Sequence, residues 1–141
     1  MVIGYTSGVF DLFHIGHLNL LNNCKSLCDK LVVGVSTDEL VFEYKKKKPV
    51  IPFHERVEIV RNIKAVDGVV AQETLEKLDM LNKIKFDIMF VGDDWHKSKK
   101  WNEIESKLSA NGVKVIFFPY TKTTSSTLIN KTLMSLRGEV S

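Results

Sequence analysis

Short apolar runs alternate with helical spacings along the chain, and this alternation constrains the fold more than any other feature. The run LVVGVS, residues 31–36, is apolar at almost every position, as expected for a strand covered on both faces. Strands that alternate with helices predict an α/β fold, a Rossmann-like doubly wound five-stranded parallel sheet with helices on both faces. The other predicted strands are VIGY (2–5), GVVA (68–71), DIMFV (87–91) and VKVIFFP (113–119).

Apolar residues three and four positions apart predict the helices between these strands. The polar tract EYKKKKP, residues 43–49, is interpreted as a loop. Neither an internal repeat nor a linker divides the 141 residues, so we expect a single domain over residues 1–141. The predicted helices begin near Gly16, at Pro52, around Leu75, around Trp101 and around Leu128.

The charge and the apolar content argue against several classes of protein. The net charge of +3 is too small to indicate nucleic-acid binding, although it suits an anionic small molecule. No apolar run approaches the roughly 20 residues of a membrane span, and the first ten residues do not resemble a signal peptide. Cys24 and Cys28 have no Cys or His at ligand spacing, so we interpret them as buried apolar positions rather than a redox or metal pair. We therefore expect a cytoplasmic protein without a membrane partner.

The stretch SGVFDLFHIGHLNLL, residues 7–21, places His14 and His17 around Gly16 where the first strand passes into the first helix. A helix N-terminus offers unpaired N–H groups and a positive dipole end to a phosphate, and both imidazoles can donate hydrogen bonds to its oxygens. Gly16 lacks a Cβ and allows a close approach to the backbone. The alternatives are capping or core histidines, or a metal pair that has no third ligand. We interpret the stretch as an anion site.

Open parallel sheets bind ligands beyond the carboxyl ends of their strands, where the strand order reverses. GDDW (92–95) follows the fourth predicted strand, and we interpret it as facing a nucleotide rather than as a polar turn with a core tryptophan. TKTTSST (121–127) follows the fifth. Its hydroxyls and free N–H groups at a helix start favour phosphate contact over an ordinary cap.

The order of these motifs resembles a known enzyme family. GVFDLFHIGHLNLL resembles the nucleotidyltransferase superfamily with the HxGH signature. The later motifs are similar to those of the small bacterial glycerol-3-phosphate cytidylyltransferases, and the similarity covers residues 3–131. It implies transfer of CMP from CTP to a small phosphorylated acceptor, with Mg²⁺ bound mainly through the CTP phosphates. It also implies a homodimer and a role in capsule or cell-wall polymer synthesis. These later motifs are LVVGVSTDEL, ERVEIV, VDGVV, FVGDDW and TSST.

The resemblance also implies roles for individual residues, with no side chain as a confident metal ligand. Asp11 either holds its loop together or orients a histidine, and Asp38 is expected to be a cap or loop anchor. The implied catalytic residues are His14, His17 and Lys46. The implied nucleotide-binding residues are Gly8, Val9, Phe10, His14, Gly16, His17, Gly92, Asp94, Thr124, Ser125, Ser126 and Thr127. The implied acceptor-binding residues are Asp11, Lys45, Lys46, Arg56, Lys77, Trp95, Tyr120 and Lys122.

One departure from the family pattern leaves the acceptor open. Close relatives read R-T-E-G-I-S-T-T where this chain has YTKTTSST, so that Tyr120 replaces arginine, Lys122 replaces glutamate and Thr123 replaces glycine. A tyrosine offers one neutral donor in place of a bidentate guanidinium. Glycerol 3-phosphate is the expected acceptor, and ethanolamine phosphate, choline phosphate or an unusual phosphorylated metabolite is the alternative. Besides cytidylyl transfer, the chain could act as an adenylyltransferase, a tRNA synthetase fragment or a non-catalytic nucleotide-binding protein.

Overall fold

The predicted α/β sheet is confirmed by a computed structural model that describes residues 1–92 and 99–118, without the side chains of residues 99–101. Every strand pairs in parallel with its neighbours, in the order β3-β2-β1-β4-β5. The helix predicted around Leu128 lies outside the described residues. The elements are β1 (Ile3–Gly8), α1 (Ile15–Lys25), β2 (Lys30–Ser36), α2 (Asp38–Lys45), α3 (Phe53–Arg61), β3 (Gly68–Gln72), α4 (Lys77–Ile84), β4 (Ile88–Gly92), α5 (Lys99–Ala110) and β5 (Lys114–Phe118).

The strand order reverses beside β1, which lies at the centre of the sheet. The chain passes outward from β1 to β2 and β3, and then returns to place β4 on the other side of β1. The helices that follow β1 and β4, α1 and α5, pack on opposite faces of the sheet, and this arrangement predicts a crevice at the carboxyl ends of the two strands. The connection after β1 carries His14, and His17 follows in the first turn of α1.

Two apolar cores cover the two faces of the sheet, as the continuous apolar runs predict. Six of the seven residues of β2 are buried, which confirms a strand covered on both sides. Each large apolar side chain that is fully buried stabilises the fold by about 1.5–3 kcal/mol. The α4 and α5 side includes Tyr5, Met80, Phe86, Met89 and Leu108. The α1 and α3 side includes Phe10, Leu21, Val33, Val60 and Phe90.

The interpretation of residues 43–49 as a loop is wrong for the first three of them, because α2 continues through Lys45. The Thr37 hydroxyl accepts the Leu40 N–H at 3.1 Å and caps the start of this helix. Its end is fixed by Lys46, whose backbone takes the left-handed conformation with φ at 58°. A lysine in the last turn interacts favourably with the helix dipole, so Lys45 stabilises the end of α2.

Cys24 is buried and Cys28 is half-buried on α1, and both thiols are free. Burial raises the pKa of both thiols, so neither is activated as a nucleophile. Their interpretation as apolar positions is confirmed. Among the helices that the structure describes, none is both long enough and apolar enough to cross a membrane.

Candidate active site

The two histidines of the HIGH motif cap the N-terminus of α1. His14 is the N-cap residue, and its Nδ1 accepts a hydrogen bond from the Gly16 N–H at 3.0 Å. The Nδ1 of His17 in turn accepts the His14 N–H at 3.2 Å, so the two imidazoles form a reciprocal capping box. The ring centroids are 4.0 Å apart. The capping alternative and the anion-site interpretation are therefore compatible, because capping uses only one nitrogen of each ring.

The capping bonds fix which ring nitrogen carries the proton. Because each Nδ1 accepts a hydrogen bond, the proton of each neutral imidazole is assigned to Nε2. Burial and the neighbouring His14 lower the pKa of His17 to about 4, although Asp11 opposes them. Burial also lowers the pKa of His14. At neutral pH the site therefore offers two uncharged Nε2–H donors beside the positive end of the α1 dipole.

We expect the free energy of unfolding to decrease as the pH falls from about 6.5 toward 4. The unfolded chain binds the His17 proton near pH 6.5 and the folded chain only near pH 4, so protonation in this window favours unfolding. Urea denaturation between pH 7 and pH 4 would measure the loss. In His17→Gln, which keeps an N3 capping acceptor, the loss should be smaller by about 1–3 kcal/mol. Parallel pH profiles for the two proteins would contradict this.

The connection between β1 and α1, residues 9–14, contains several of the residues for which the resemblance implies nucleotide binding and is called the nucleotide loop here. Phe10 and Leu12 have φ values of 55° and 50°, so two side chains occupy the left-handed region on either side of Asp11. Each such residue costs about 1 kcal/mol or more, which other contacts of the loop must offset. The Phe10 ring is buried and meets the His17 ring edge-on at 5.4 Å, and the Phe13 ring contacts His17 at 5.2 Å and stacks on Phe10 at 6.4 Å. The strained loop thus packs a pair of contacting aromatic rings against the His17 imidazole.

Asp11 ties the nucleotide loop to the connection between α2 and α3, residues 46–52, which is called the lysine loop here. Its carboxylate oxygens accept the N–H groups of Val50 at 2.8 Å and Ile51 at 2.9 Å. Of the two roles considered for Asp11, the structure therefore assigns the loop anchor. The implied contact of Asp11 with the acceptor stays a prediction.

Arg56 joins three loops from beneath the site and is 0% exposed. Its guanidinium donates to the carbonyl oxygens of Val9 at 2.7 Å, Ser36 at 2.8 Å and Ile51 at 2.8 Å, and to Asp38 Oδ1 at 2.6 Å. The implied acceptor contact of Arg56 is corrected. A guanidinium that is fully buried and directed at these four oxygens positions the loops and is not presented to a ligand.

Asp38 is a loop anchor, as expected. One carboxylate oxygen pairs with Arg56, and the other accepts the Phe53 N–H at 3.2 Å where α3 begins. Its neighbour Thr37, rather than Asp38 itself, supplies the side-chain cap of α2. The carboxyl ends of β1 and β2 and the lysine loop are thus held in one hydrogen-bonded arrangement around Arg56.

Two of the implied acceptor lysines approach the nucleotide loop. Lys77 Nζ donates to Ser7 Oγ at 2.9 Å, which places its ammonium at the carboxyl end of β1, next to Gly8. Partial burial and Lys47 lower the pKa of Lys45, and Asp11 opposes them, so Lys45 also lies in the field of the nucleotide loop. Lys46 is exposed at the C-terminal cap of α2.

A cavity of about 620 Å³ opens beside Lys77, between the end of α2, the loop before α4 and helix α5. It carries four glutamates and one lysine together with apolar side chains. The lining residues are Leu40, Glu43, Tyr44, Glu73, Thr74, Leu75, Glu76, Glu103, Ile104 and Lys107.

The remaining implied residues are placed only in part. Gly92 ends β4 and is the register partner of Phe118 at the end of β5. Sequence reasoning missed Ser7, the partner of Lys77, and Phe13, which packs on His17. The strand period could have indicated Ser7, because it shares a face of β1 with Tyr5. The implied residues that lie outside the described part of the chain are Asp94, Trp95, Tyr120, Lys122, Thr124, Ser125, Ser126 and Thr127.

Comparison with known proteins gives matches over most of the chain. The model of a family described as cytidylyltransferase-like matches residues 5–132. An FAD synthase of Pyrococcus abyssi is 38% identical over 116 residues, covering 80% of this chain and 77% of that protein. The glycerol-3-phosphate cytidylyltransferase of Bacillus spizizenii is 36% identical over 132 residues, covering 93% of this chain and 96% of that protein.

Solved structures agree with this similarity. The lipopolysaccharide core biosynthesis protein from Thermoplasma volcanium superposes with a TM-score of 0.72 and 28% identity, covering 88% of this chain and 99% of that one. Thermotoga maritima TmcAL bound with alpha-thio ATP shares the fold with a TM-score of 0.75 at only 12% identity, covering 97% of this chain and 51% of that one.

Proposed function

The chain belongs to the cytidylyltransferase-like family, and from that premise we propose that it transfers CMP from CTP to glycerol 3-phosphate and releases pyrophosphate. One observation carries the proposal: the two capping imidazoles present Nε2–H donors at the positive end of α1. The similarity to a glycerol-3-phosphate cytidylyltransferase over 93% of the chain supports the choice of nucleotide and acceptor.

In the proposed reaction, a phosphate oxygen of the acceptor bonds to the α-phosphorus of CTP while the bond to pyrophosphate breaks. The attacking oxygen is already anionic, since a phosphate monoester has a second pKa of about 6, so no strong base is needed. Pyrophosphate leaves with the electron pair of the broken bond. The Nε2–H groups of His14 and His17 donate to phosphate oxygens on which charge grows, and remain aligned by the helix cap.

The protein's own side chains position the acceptor and the loops around this centre. Lys77 and Lys45 attract the acceptor phosphate, and Asp11 and Arg56 hold the neighbouring nucleotide loop and lysine loop in place. In the described part of the chain, no group of three His, Cys, Asp or Glu residues is arranged to hold a metal ion. We propose that Mg²⁺ arrives bound to the CTP phosphates, because a divalent cation neutralises the charge of the triphosphate and of its leaving group.

We expect pyrophosphate release when the protein is incubated with CTP, Mg²⁺ and glycerol 3-phosphate, and not with the other three nucleoside triphosphates. A panel of four nucleotides against phosphorylated alcohols and amino alcohols would measure this by a coupled pyrophosphate assay. Release with ATP alone would assign adenylyl transfer instead, an alternative that the similarity to FAD synthases favours. Release with no pair would favour a non-catalytic nucleotide-binding protein.

The same panel decides between two acceptor chemistries. The cavity beside Lys77 carries Glu43, Glu73 and Glu76 on its walls, a lining that favours a positively charged acceptor tail. Ethanolamine phosphate or choline phosphate has such a tail, and glycerol 3-phosphate does not. Faster turnover with an amino-alcohol phosphate would therefore move the proposed acceptor to that class.

We also propose that the protein acts as a cytoplasmic homodimer whose CDP-linked product supplies capsule or cell-wall polymer synthesis. The position of β3 at the edge of the sheet supports contact between two copies, because the unpaired backbone groups of an edge strand are a template for another chain.

A further inference from the structure

Tyr5 and Gln72 form a buried polar pair that lies beneath the loop before α4. Their side chains are 0% and 1% exposed, respectively. The Tyr5 hydroxyl donates to Gln72 Oε1, and Gln72 Nε2 donates to the backbone oxygen of Thr74. An apolar pair of similar shape would stabilise a core at least as well, since a buried hydrogen bond adds only about 1 kcal/mol net. We therefore expect the polar pair to have a role besides stabilising the core.

A glycine in β2 makes room in the sheet for this pair. Tyr5 lies on β1 and Gln72 on β3, and β2 runs between them. The Tyr5 hydroxyl crosses β2 at Gly34, where a Cβ atom would lie 2.0 Å from the tyrosine oxygen. The Tyr5 ring also stacks on Phe86 with centroids 4.9 Å apart, which fixes the direction of the hydroxyl. Three strands thus cooperate to bring the two side chains together.

The pair holds one end of the loop formed by residues 73–76, and Lys77 holds the other. Gln72 ends β3 and donates a hydrogen bond to the Thr74 carbonyl, while the Thr74 hydroxyl accepts the Glu76 N–H at 3.1 Å. Lys77 follows at once and reaches Ser7 at 2.9 Å. Because Tyr5 and Ser7 are two residues apart, they lie on the same face of β1. Hydrogen bonds to residues of β1 therefore hold both ends of the loop, and β1 is the strand that leads into the nucleotide loop.

We propose that Tyr5 and Gln72 are positioning residues that set the Lys77 ammonium at the carboxyl end of β1 to bind the acceptor phosphate. The inference rests on the proposed function for the identity of the acceptor. The amide of Gln72 is needed because it accepts from the tyrosine and donates to Thr74 at once. A carboxylate at this position would face the Thr74 carbonyl and place a charge in the core.

We expect Tyr5→Phe to raise the KM for glycerol 3-phosphate about fivefold to tenfold, with kcat and the KM for CTP changed less than twofold. The substitution removes one oxygen atom and keeps the stacking on Phe86. Steady-state kinetics with each substrate varied in turn would measure the split. Thr6→Val is the matched control, because it removes a buried hydroxyl from the opposite face of β1, where Thr6 Oγ1 donates to the Phe90 carbonyl at 3.1 Å. The control should lose stability without an acceptor-specific rise in KM.

A double-mutant cycle tests whether Tyr5 acts through Lys77. In a Lys77→Met background, Tyr5→Phe should raise the KM for the acceptor no further, because the group that it positions is gone. Additive effects, or equal effects on the KM values of both substrates, would overturn the inference.

A second readout separates this inference from the proposed function. Hydrogen exchange of the backbone amides of residues 73–77 should be faster in Tyr5→Phe than in the parent protein, whatever the substrate. Unchanged exchange would overturn the positioning role. Absence of turnover by the parent protein with every nucleotide and acceptor would overturn the proposed function alone.

Discussion

Replacing His17 by alanine is expected to lower turnover about 100-fold or more, the scale seen when one preorganised donor is removed from a site of developing charge. The substitution removes an Nε2–H donor beside the His14 ring and also a member of the helix cap. His17→Gln keeps a capping acceptor at N3, so comparing the two variants separates the loss of the donor from the loss of the cap. The measurement is kcat at saturating CTP and acceptor.

The matched control for this prediction is His54→Ala. The His54 side chain is 82% exposed on α3, and its Nε2 lies 4.0 Å from the Glu55 carboxylate. Its removal should leave turnover within twofold of the parent. A His17→Ala protein that retains more than a third of the parent turnover would contradict the role assigned to His17.

Replacing Arg56 by methionine is expected to lower the free energy of unfolding by about 3–5 kcal/mol, because it leaves Asp38 and buried carbonyl oxygens without their partner. Arg56→Lys should also be strongly destabilising, since one ammonium cannot reach oxygens on three loops. Denaturant titration measures the loss. Activity should fall with stability, because the nucleotide loop and the lysine loop both depend on this side chain.

Arg61 offers a control on the same helix. Its guanidinium pairs with Glu58 at 3.1 Å, and both side chains are 63% exposed. Exposed pairs of this kind contribute about 0–1 kcal/mol, so Arg61→Met should have little effect on stability. Equal losses for Arg56→Met and Arg61→Met would contradict the assignment of Arg56 as the joint between the loops.

The order of elements was predictable because strand and helix periods are local properties of the sequence. The run 31–36 has only one polar residue, Ser36 at its end, so no alternation suggests an open face, and the structure buries the run on both sides. The end of α2 was not predictable in the same way, because lysines suit both a solvated loop and the last turn of a helix. The structure explains the helix by contacts that the sequence does not show, namely the burial of Leu40 and Val41 and the cap at Thr37.

The two histidines were predictable as a site, since their spacing around a glycine at a helix start is visible in the sequence. Their capping bonds through Nδ1 were not, because they depend on ring orientation. The individual hydrogen-bond partners of Arg56 were not predictable for a different reason. Its partner Val9 is 47 residues away in the sequence, and no local pattern indicates which loop carbonyls an arginine will reach.

The reciprocal cap has a thermodynamic consequence for ligand binding. Because both imidazoles are ordered by the first turn of α1, the rotamer entropy of aligning them is lost when the chain folds and not when an anion arrives. The reciprocal cap also limits how far the pH can fall before the protein loses stability. A proton on either Nδ1 would turn a hydrogen-bond acceptor into a donor that faces another N–H group. Acidification should therefore disrupt the first turn of α1 and at the same time misalign the Nε2–H donors of His14 and His17.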